Sequence, residues 1–296
     1  MVSVAILGST GMLGSAITKV LENDLEKVYE FNRSGISVTK NNEARKLDVV
    51  RDLNLLESFS GIRVDYIINC IGMIKQLIST SSQESVELAH KTNVNFPKEL
   101  NDYAKNTGVP VIQIGTDCVF SGESGAYTEN QPHDPVDVYG VTKNKGEVSS
   151  ATSMLIRCSI IGKELETSNS LLSWVLSHPK NALINGYTNH YWNGVTTLHF
   201  SRIVSGIIRS DRFKQGVFHL VPNDVISKYE LIKLIAKTFD RSDLQIVKFE
   251  AEKLIDRSLS TNNPQQNLSF WRAGGYNEIP TINEMISTYS RWAKSN

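Results

Sequence analysis

The sequence predicts an α/β protein: a Rossmann-like doubly wound parallel sheet with a smaller C-terminal α/β lobe. Three observations predict it. Strand-like and helix-like segments alternate through the first 160 residues, a glycine-punctuated turn joins the first strand to the first helix, and the rhythm changes after residue 160. Alternation of this kind builds a parallel sheet with both faces covered, because parallel neighbours need a crossover and that crossover is right-handed.

The elements follow in order. VSVAILG (2–8) is an apolar strand ending in glycine, and MLGSAITKVLEN (12–23) has helical apolar spacing. KVYEFN (27–32) and ARKLDV (44–49) are strands two and three, with DLNLLESF (52–59) a short helix. VDYIINC (64–70) is a buried fourth strand, followed by a long helix over 82–107 that Pro97 should break. VPVIQIGT (109–116) is the fifth strand, 137–150 a helix, and SMLIRCS (153–159) the sixth strand. Beyond it, LLSWVLSH (171–178), FSRIVSGIIR (200–209) and SKYELIKLIAKTF (227–239) read as helices, the last with Ser227 as N-cap. NALIN (181–185), GVFHLV (216–221) and LQIVKFE (244–250) read as strands. Residues 1–160 are thus expected to form the large domain and 161–296 mainly the second lobe, with parts of 195–221 returning to the large sheet.

Composition narrows the function classes. Of 296 residues, 31 are Lys or Arg and 31 Asp or Glu, so the formal net charge is zero. That balance gives no footprint for nucleic acid or for an anionic membrane. No apolar run approaches the ~18 residues of a membrane span, and the N-terminus lacks the basic segment of a signal peptide. Cys70, Cys118 and Cys158 are widely spaced and form no Cys-x-x-Cys or Cys/His cluster, so no metal site is expected. Reduced, buried thiols in a cytoplasmic protein are the expectation.

The turn Gly8-Ser9-Thr10-Gly11-Met12-Leu13-Gly14 has Gly-x-x-Gly-x-x-Gly spacing between a strand and a helix. Glycines permit the tight turn and close approach of a pyrophosphate, and the helix start offers N–H groups and a positive dipole end. Gly8, Thr10, Gly11, Met12, Leu13 and Gly14 are therefore expected cofactor contacts. At the tip of the second strand stand Asn32, Arg33 and Ser34, where an NAD site usually has a carboxylate for the ribose. Arg33 suits a 2′-phosphate and Ser34 can donate to it, so NADPH is expected over NADH. Glu30, an even step back, should point away from the tip. Asp48 and Val49 are expected to end the third strand near the adenine, and Cys70, Ile71 and Gly72 to pass the nicotinamide ribose.

Tyr139 and Lys143 lie four residues apart on a helix-like segment, so they share a face. A nearby ammonium favours a phenolate, so Lys143 should lower the Tyr139 pKa and ready the phenol for proton exchange. Tyr-x-x-x-Lys also occurs on solvated helix surfaces, and the pair takes its meaning from its company. Thr116 ends the fifth strand, where its hydroxyl can bond a substrate carbonyl.

With these residues in place, the chain resembles the extended short-chain dehydrogenases/reductases, and within them the dTDP-4-dehydrorhamnose reductase branch of nucleotide-sugar 4-ketoreductases. The anchors are GSTGMLG (8–14), NCIG (69–72), GTDCVFSG (115–122) and VYGVTKNKGE (138–147), and the resemblance spans nearly the whole chain. It implies that Thr116, Tyr139 and Lys143 are catalytic: Tyr139 gives the proton, Lys143 tunes it and holds the nicotinamide ribose, and Thr116 orients the carbonyl. It implies a nucleotide-sugar substrate lying along Thr116, Asp117, Cys118 and Val119. The related 4,6-dehydratases carry a glutamate where this chain has Cys118, so reduction is implied rather than elimination. Where reductases often have an aromatic residue this chain has Cys118, which leaves the sugar open. The segment from His190 to Thr197 corresponds to the sugar-pocket wall, so Trp192, Asn193 and Thr196 are substrate candidates; a packed inter-lobe loop is the equal alternative. Gln76 is a further substrate candidate. His190 is expected to be structural. Asn93 either supports the active-site backbone or packs a helix. A homodimer through the 82–107 helix is possible on the same resemblance. Two alternatives stand beside the reductase: a non-catalytic NADP(H)-binding regulatory module, and an epimerase that retains NAD.

Overall fold

The structure, a computed structural model, describes residues 2–25, 27–51 and 53–295. The chain begins with β1 (Ser3–Leu7), α1 (Met12–Asp24), β2 (Lys27–Asn32), β3 (Glu43–Lys46), α2 (Leu55–Ser58) and β4 (Tyr66–Asn69). The expected start of α2 at Asp52 lies outside the described residues. Next come α3 (Gln83–His90), a π-helical turn (Lys91–Asn95) and α4 (Phe96–Thr107), then β5 (Val111–Gly115), α5 (Val138–Lys145) and β6 (Ser153–Arg157). The break expected at Pro97 does not occur: the backbone stays right-handed helical from α3 through α4, and a π turn at Lys91–Asn95 widens the rod just ahead of Pro97, which lies in the first turn of α4.

The second half holds β7 (Ile160–Ile161), α6 (Leu171–Ser177), β8 (Leu183–Tyr187), β9 (His190–Trp192), β10 (Val195–Thr196), α7 (Thr197–Arg209) and β11 (Gly216–His219). It ends with β12 (Ile226–Ser227), α8 (Lys228–Thr238), β13 (Gln245–Phe249), β14 (Ile255–Asp256), α9 (Pro264–Ala273) and α10 (Ile282–Ser295). No element was expected beyond residue 250, so β14, α9 and α10 are additions to the sequence reading.

Seven parallel strands form the main sheet in the order β3-β2-β1-β4-β5-β6-β11. This is the doubly wound arrangement, extended by one strand from the second half of the chain. Side chains alternate across the sheet as strand geometry demands. Val4 and Ile6 of β1 join a core layer with Leu13, Ile17 and Leu21 of α1 and with Val204 and Ile208 of α7. Ala5 and Leu7 join the opposite layer, with Phe96, Leu100 and Ala104 of α4. The four-residue spacing on α1 and α4 puts each apolar stripe on one helical face, which is why they cover opposite sides.

The second lobe is built from small pairings. β8 pairs with β13, and β9 lies between β12 and β14. The Ser227 cap is a full capping box: Ser227 Oγ accepts from the Glu230 N–H, and Glu230 accepts from the Ser227 N–H at 2.8 Å. Among the described residues no helix is long and apolar enough to cross a membrane.

Two buried histidines are held neutral. His199 is almost fully buried, with Nδ1 2.6 Å from Thr196 Oγ1, and burial pulls its pKa from 6.5 to about 3. His219 is lowered as well, first by burial. The unfolded chain takes up these protons below pH 6.5 and the folded chain does not. Stability is therefore full above pH 6.5 and declines as pH falls toward 3. At about 1.4 kcal/mol per unit, His199 alone should cost roughly 2–3 kcal/mol between pH 6.5 and 4.5. Urea unfolding at pH 7.0 and 4.5 checks this, and the same pH slope in His199→Gln would exclude His199 as the cause.

Candidate active site

The sheet order reverses between β1 and β4, and the glycine turn opens there. Gly8 has φ +84°, a left-handed conformation that suits glycine. Its N–H donates to the Phe31 carbonyl at 2.7 Å. A side chain on Gly14 would come within 2.1 Å of the Gly8 carbonyl oxygen, so α1 rests directly on the turn. Gly11 is the N-cap of α1 and contributes no side-chain bond, and no acid stands in the first turn. The N–H groups from Met12 to Gly14 thus start a helix with no side-chain cap, beside exposed Thr10. A cradle of this shape, which side chains would fill, fits a dinucleotide pyrophosphate.

The rim of the cradle divides the candidates. Arg33 is exposed and forms no ion pair or hydrogen bond with a described residue, so its guanidinium is available. Asn32 is buried and spends its amide internally: Nδ2 donates to Ser9 Oγ and the Ile36 carbonyl, and Oδ1 accepts from the N–H groups of Ser34 and Gly35. Ser34 Oγ donates to Asn32 Oδ1 at 2.8 Å. Glu30 is fully buried and accepts from Ser37 Oγ and the Val38 N–H, so it organises the loop after β2. Asp48 and Val49 do not end β3, which stops at Lys46; Asp48 instead accepts from the Val50 N–H in the turn beyond. The Cys70 N–H donates to the Leu7 carbonyl, Ile71 N–H to Asn69 Oδ1, and Gly72 lies 3.9 Å, at its Cβ position, from Lys143 Nζ.

Thr116, Tyr139 and Lys143 meet where β5 and α5 open into this cleft. Thr116 follows β5 and caps a single 3-10 turn (Asp117–Val119): its Oγ1 accepts from the Cys118 N–H and donates to Asp117 Oδ1 at 3.1 Å. Val119 is fully buried in the core, so its side chain does not reach the cleft. Asp137 caps α5 through the Gly140 N–H and pairs with Lys75 at 2.9 Å, which ties the loop after β4 to the helix that carries Tyr139. Asn93 supports the same loop, accepting from the Met73 N–H and donating to the Met73 carbonyl and to Thr142 Oγ1. Of its two expected roles, backbone support is the one the contacts describe.

The expected depression of the Tyr139 phenol does not occur. Burial drives its pKa up, nearby Cys118 adds to that, and the Thr116 hydroxyl opposes it. Lys143 turns its ammonium to the Ile114 carbonyl at 3.1 Å, and burial lowers its pKa while Glu147 holds it up. Tyr139 therefore keeps its proton at neutral pH, the state of a proton donor. Cys118 is also un-ionised, pushed up to about 12 by burial and by Asp117.

The second-lobe wall corrects two candidates. Asn193 spends both amide atoms on the Leu259 backbone, donating at 2.6 Å and accepting at 2.9 Å. Thr196 is fully buried as the N-cap of α7, with its hydroxyl against His199. Both follow the packed-loop alternative. Trp192 is also buried, with its indole N–H on Ser159 Oγ at 2.8 Å. His190 meets the Lys253 carbonyl and the Tyr187 ring, as a structural residue should. Gln76 sits exposed on a single 3-10 turn after β4.

The sequence reading missed Lys75, Asp137, Lys228 and Arg257, which all lie near this cleft. Arg257 donates Nε to the Phe120 carbonyl, and Lys228 begins α8 over the Trp192 ring. The capping box at Ser227 and Glu230 marks where α8 starts, but only folding brings that start beside Asp117.

A doubly wound sheet, a glycine cradle at its switch point, Thr116 after β5 and Tyr139 and Lys143 on α5 together define an extended short-chain dehydrogenase/reductase. The family model described as RmlD substrate binding domain matches residues 2–266, and the chain belongs to that family. It is similar to the dTDP-4-dehydrorhamnose reductase of Aggregatibacter actinomycetemcomitans, 26% identical over 241 residues, which are 78% of this chain and 76% of that protein. It is also similar to methionine adenosyltransferase 2 subunit beta of Rattus norvegicus, 24% identical over 254 residues, covering 80% and 72%. The fold matches the crystal structure of dTDP-4-dehydrorhamnose reductase from Bacillus anthracis in complex with NADP, with a TM-score of 0.76, 17% identity and full coverage of both chains.

Proposed function

We propose that the protein is an NADPH-dependent reductase of the 4-keto group of a nucleotide-activated 6-deoxy sugar, working in the cytoplasm to supply a glycan precursor. The observation that carries this reading is the convergence of protonated Tyr139, Thr116 and Lys143 beside the glycine cradle. The chemistry supplied by NADPH bound in the cradle is hydride transfer. Thr116 turns its hydroxyl proton from Asp117 Oδ1 to the substrate carbonyl oxygen, and Tyr139 gives that oxygen its phenolic proton as the alcohol forms. Lys143 is anchored on the Ile114 carbonyl beneath the site, and in its protonated form it favours the phenolate left behind. NADPH oxidation over a panel of 4-keto sugar nucleotides tests the reading. Tight NADPH binding with no turnover across the panel would leave a binding module instead, the reading to which the similarity with methionine adenosyltransferase 2 subunit beta would then lend weight.

Cofactor choice has its own test. Unpaired Arg33 beside the cradle supports recognition of the 2′-phosphate. Arg33→Ala should weaken NADPH by roughly tenfold to a hundredfold, the worth of a charge-assisted hydrogen bond, and leave NADH within about twofold. Fluorescence titration of both cofactors measures it. An unchanged NADPH/NADH ratio would place 2′-phosphate recognition elsewhere.

A further inference from the structure

Lys228 is the first residue of α8, where a cation opposes the positive end of the helix dipole. Its neighbour Glu230 does not neutralise it, because that carboxylate is spent on the Ser227 N–H and hydroxyl. The ammonium lies 5.6 Å from the centre of the Trp192 ring, and Trp192 is fixed in turn by Ser159. It makes no hydrogen bond or ion pair with any described residue. The ionisable groups that face it are Asp117 and Cys118, beside the catalytic Thr116, and Arg257 after β14. Burial brings its pKa down to about 8, with Asp117 opposing the fall.

The cleft wall is therefore short of negative charge. Lys75 and Asp137 satisfy each other, while Lys228 and Arg257 face Asp117, whose carboxylate already accepts from Thr116. Lys228 is half-buried, and an ammonium drawn partly out of water with no acceptor in the protein is compensated only in part by an aromatic face. A neutral hydroxyl would return little of it, whereas an anion would return most.

We propose that Lys228, seated on Trp192, takes an anionic group of the substrate, either a phosphate of the nucleotide or a carboxylate on the sugar. The inference rests on the reading of this cleft as a nucleotide-sugar site. It makes Lys228 a specificity-determining residue on the second-lobe side of the cleft, opposite Thr116.

The test is calorimetric titration of the full chain, saturated with NADP+, with thymidine diphosphate, uridine diphosphate, UDP-glucose and UDP-glucuronate. Lys228→Met should weaken the nucleoside diphosphates by about tenfold or more, and Lys228→Arg should stay within about threefold. NADPH affinity should match the wild type in both variants. Wild-type affinity should hold up to about pH 8 and fall above it, while Lys228→Arg should stay flat to pH 9, a difference that a purely structural role would not produce. Unchanged diphosphate binding with a selective loss of UDP-glucuronate over UDP-glucose would assign the carboxylate as the partner. Unchanged affinity for all four ligands in Lys228→Met, or no binding of any of them by the wild type, would overturn the proposal. Failure of the keto-sugar panel with this binding pattern intact would remove the reductase reading and leave the Lys228 assignment standing.

Discussion

Tyr139→Phe is expected to lower turnover of a 4-keto sugar nucleotide by roughly 10²–10⁴-fold, the contribution of a positioned general acid. The phenyl ring keeps the packing of Tyr139 on α5 and removes only the hydroxyl that carries the proton. NADPH affinity should stay within about threefold, because the glycine cradle and Lys143 are untouched. Single-turnover absorbance at 340 nm with saturating NADPH separates the chemical step from binding. Full activity in this variant would remove Tyr139 from the mechanism. Burial raises the phenol pKa, so the wild-type reduction should not lose its acid form anywhere between pH 6 and 9. A rate that falls across that window in the wild type and is not shifted by Glu147→Gln, which acts through Lys143, would point to a different proton donor.

Glu147→Gln should destabilise the fold by about 3–5 kcal/mol, the usual result of stripping one partner from a buried ion pair. Arg157 and Glu147 form a bidentate pair at 2.9 and 2.7 Å, with side chains only 4% and 9% exposed. Without the carboxylate, the Arg157 charge would keep only His219 and the Glu129 carbonyl, at 3.2 and 3.4 Å. The cost comes from that uncompensated charge, so Glu147→Leu with Arg157→Met should recover most of the loss. Urea unfolding of the two variants measures it. A double variant no more stable than Glu147→Gln would show that packing, and not charge, sets the value. Glu147 also holds up the pKa of Lys143. Its loss should therefore move the alkaline limb of the rate profile to lower pH.

Local signals carried much of the fold and of the cofactor cradle. The turn from Gly8 to Gly14 has its meaning in seven consecutive residues, and β1, β4 and β5 show in their own apolar runs, whereas β3 is Glu-Ala-Arg-Lys and has none. The same holds for the Ser227 cap, whose partner stands three residues away. Residues whose role depends on distant partners could not be read this way. Asn193 looks like a sugar ligand until Leu259, 66 residues on, occupies both ends of its amide. Thr196 looks like a free hydroxyl until α7 begins on it. Helical spacing gives the distance from Tyr139 to Lys143 along one element and says nothing of the protein packed around the phenol, which is what raises its pKa. α10 has a local signal of its own, since Ile282, Met285, Ile286 and Tyr289 recur at helical spacing and are all buried.

The π-helical turn at Lys91–Asn95 behaves as an inserted residue in an otherwise continuous rod. Each residue of an α-helix turns the chain by about 100°. A chain one residue shorter at this point would relax into plain α-helix and swing Asn93 by that angle, away from the Met73 backbone it now clamps. The widened turn thus acts as a phase adjuster. It lets one helix segment keep its packing face while another shows its amide to the cleft, and it makes the length of this segment, more than its composition, the quantity that must be preserved.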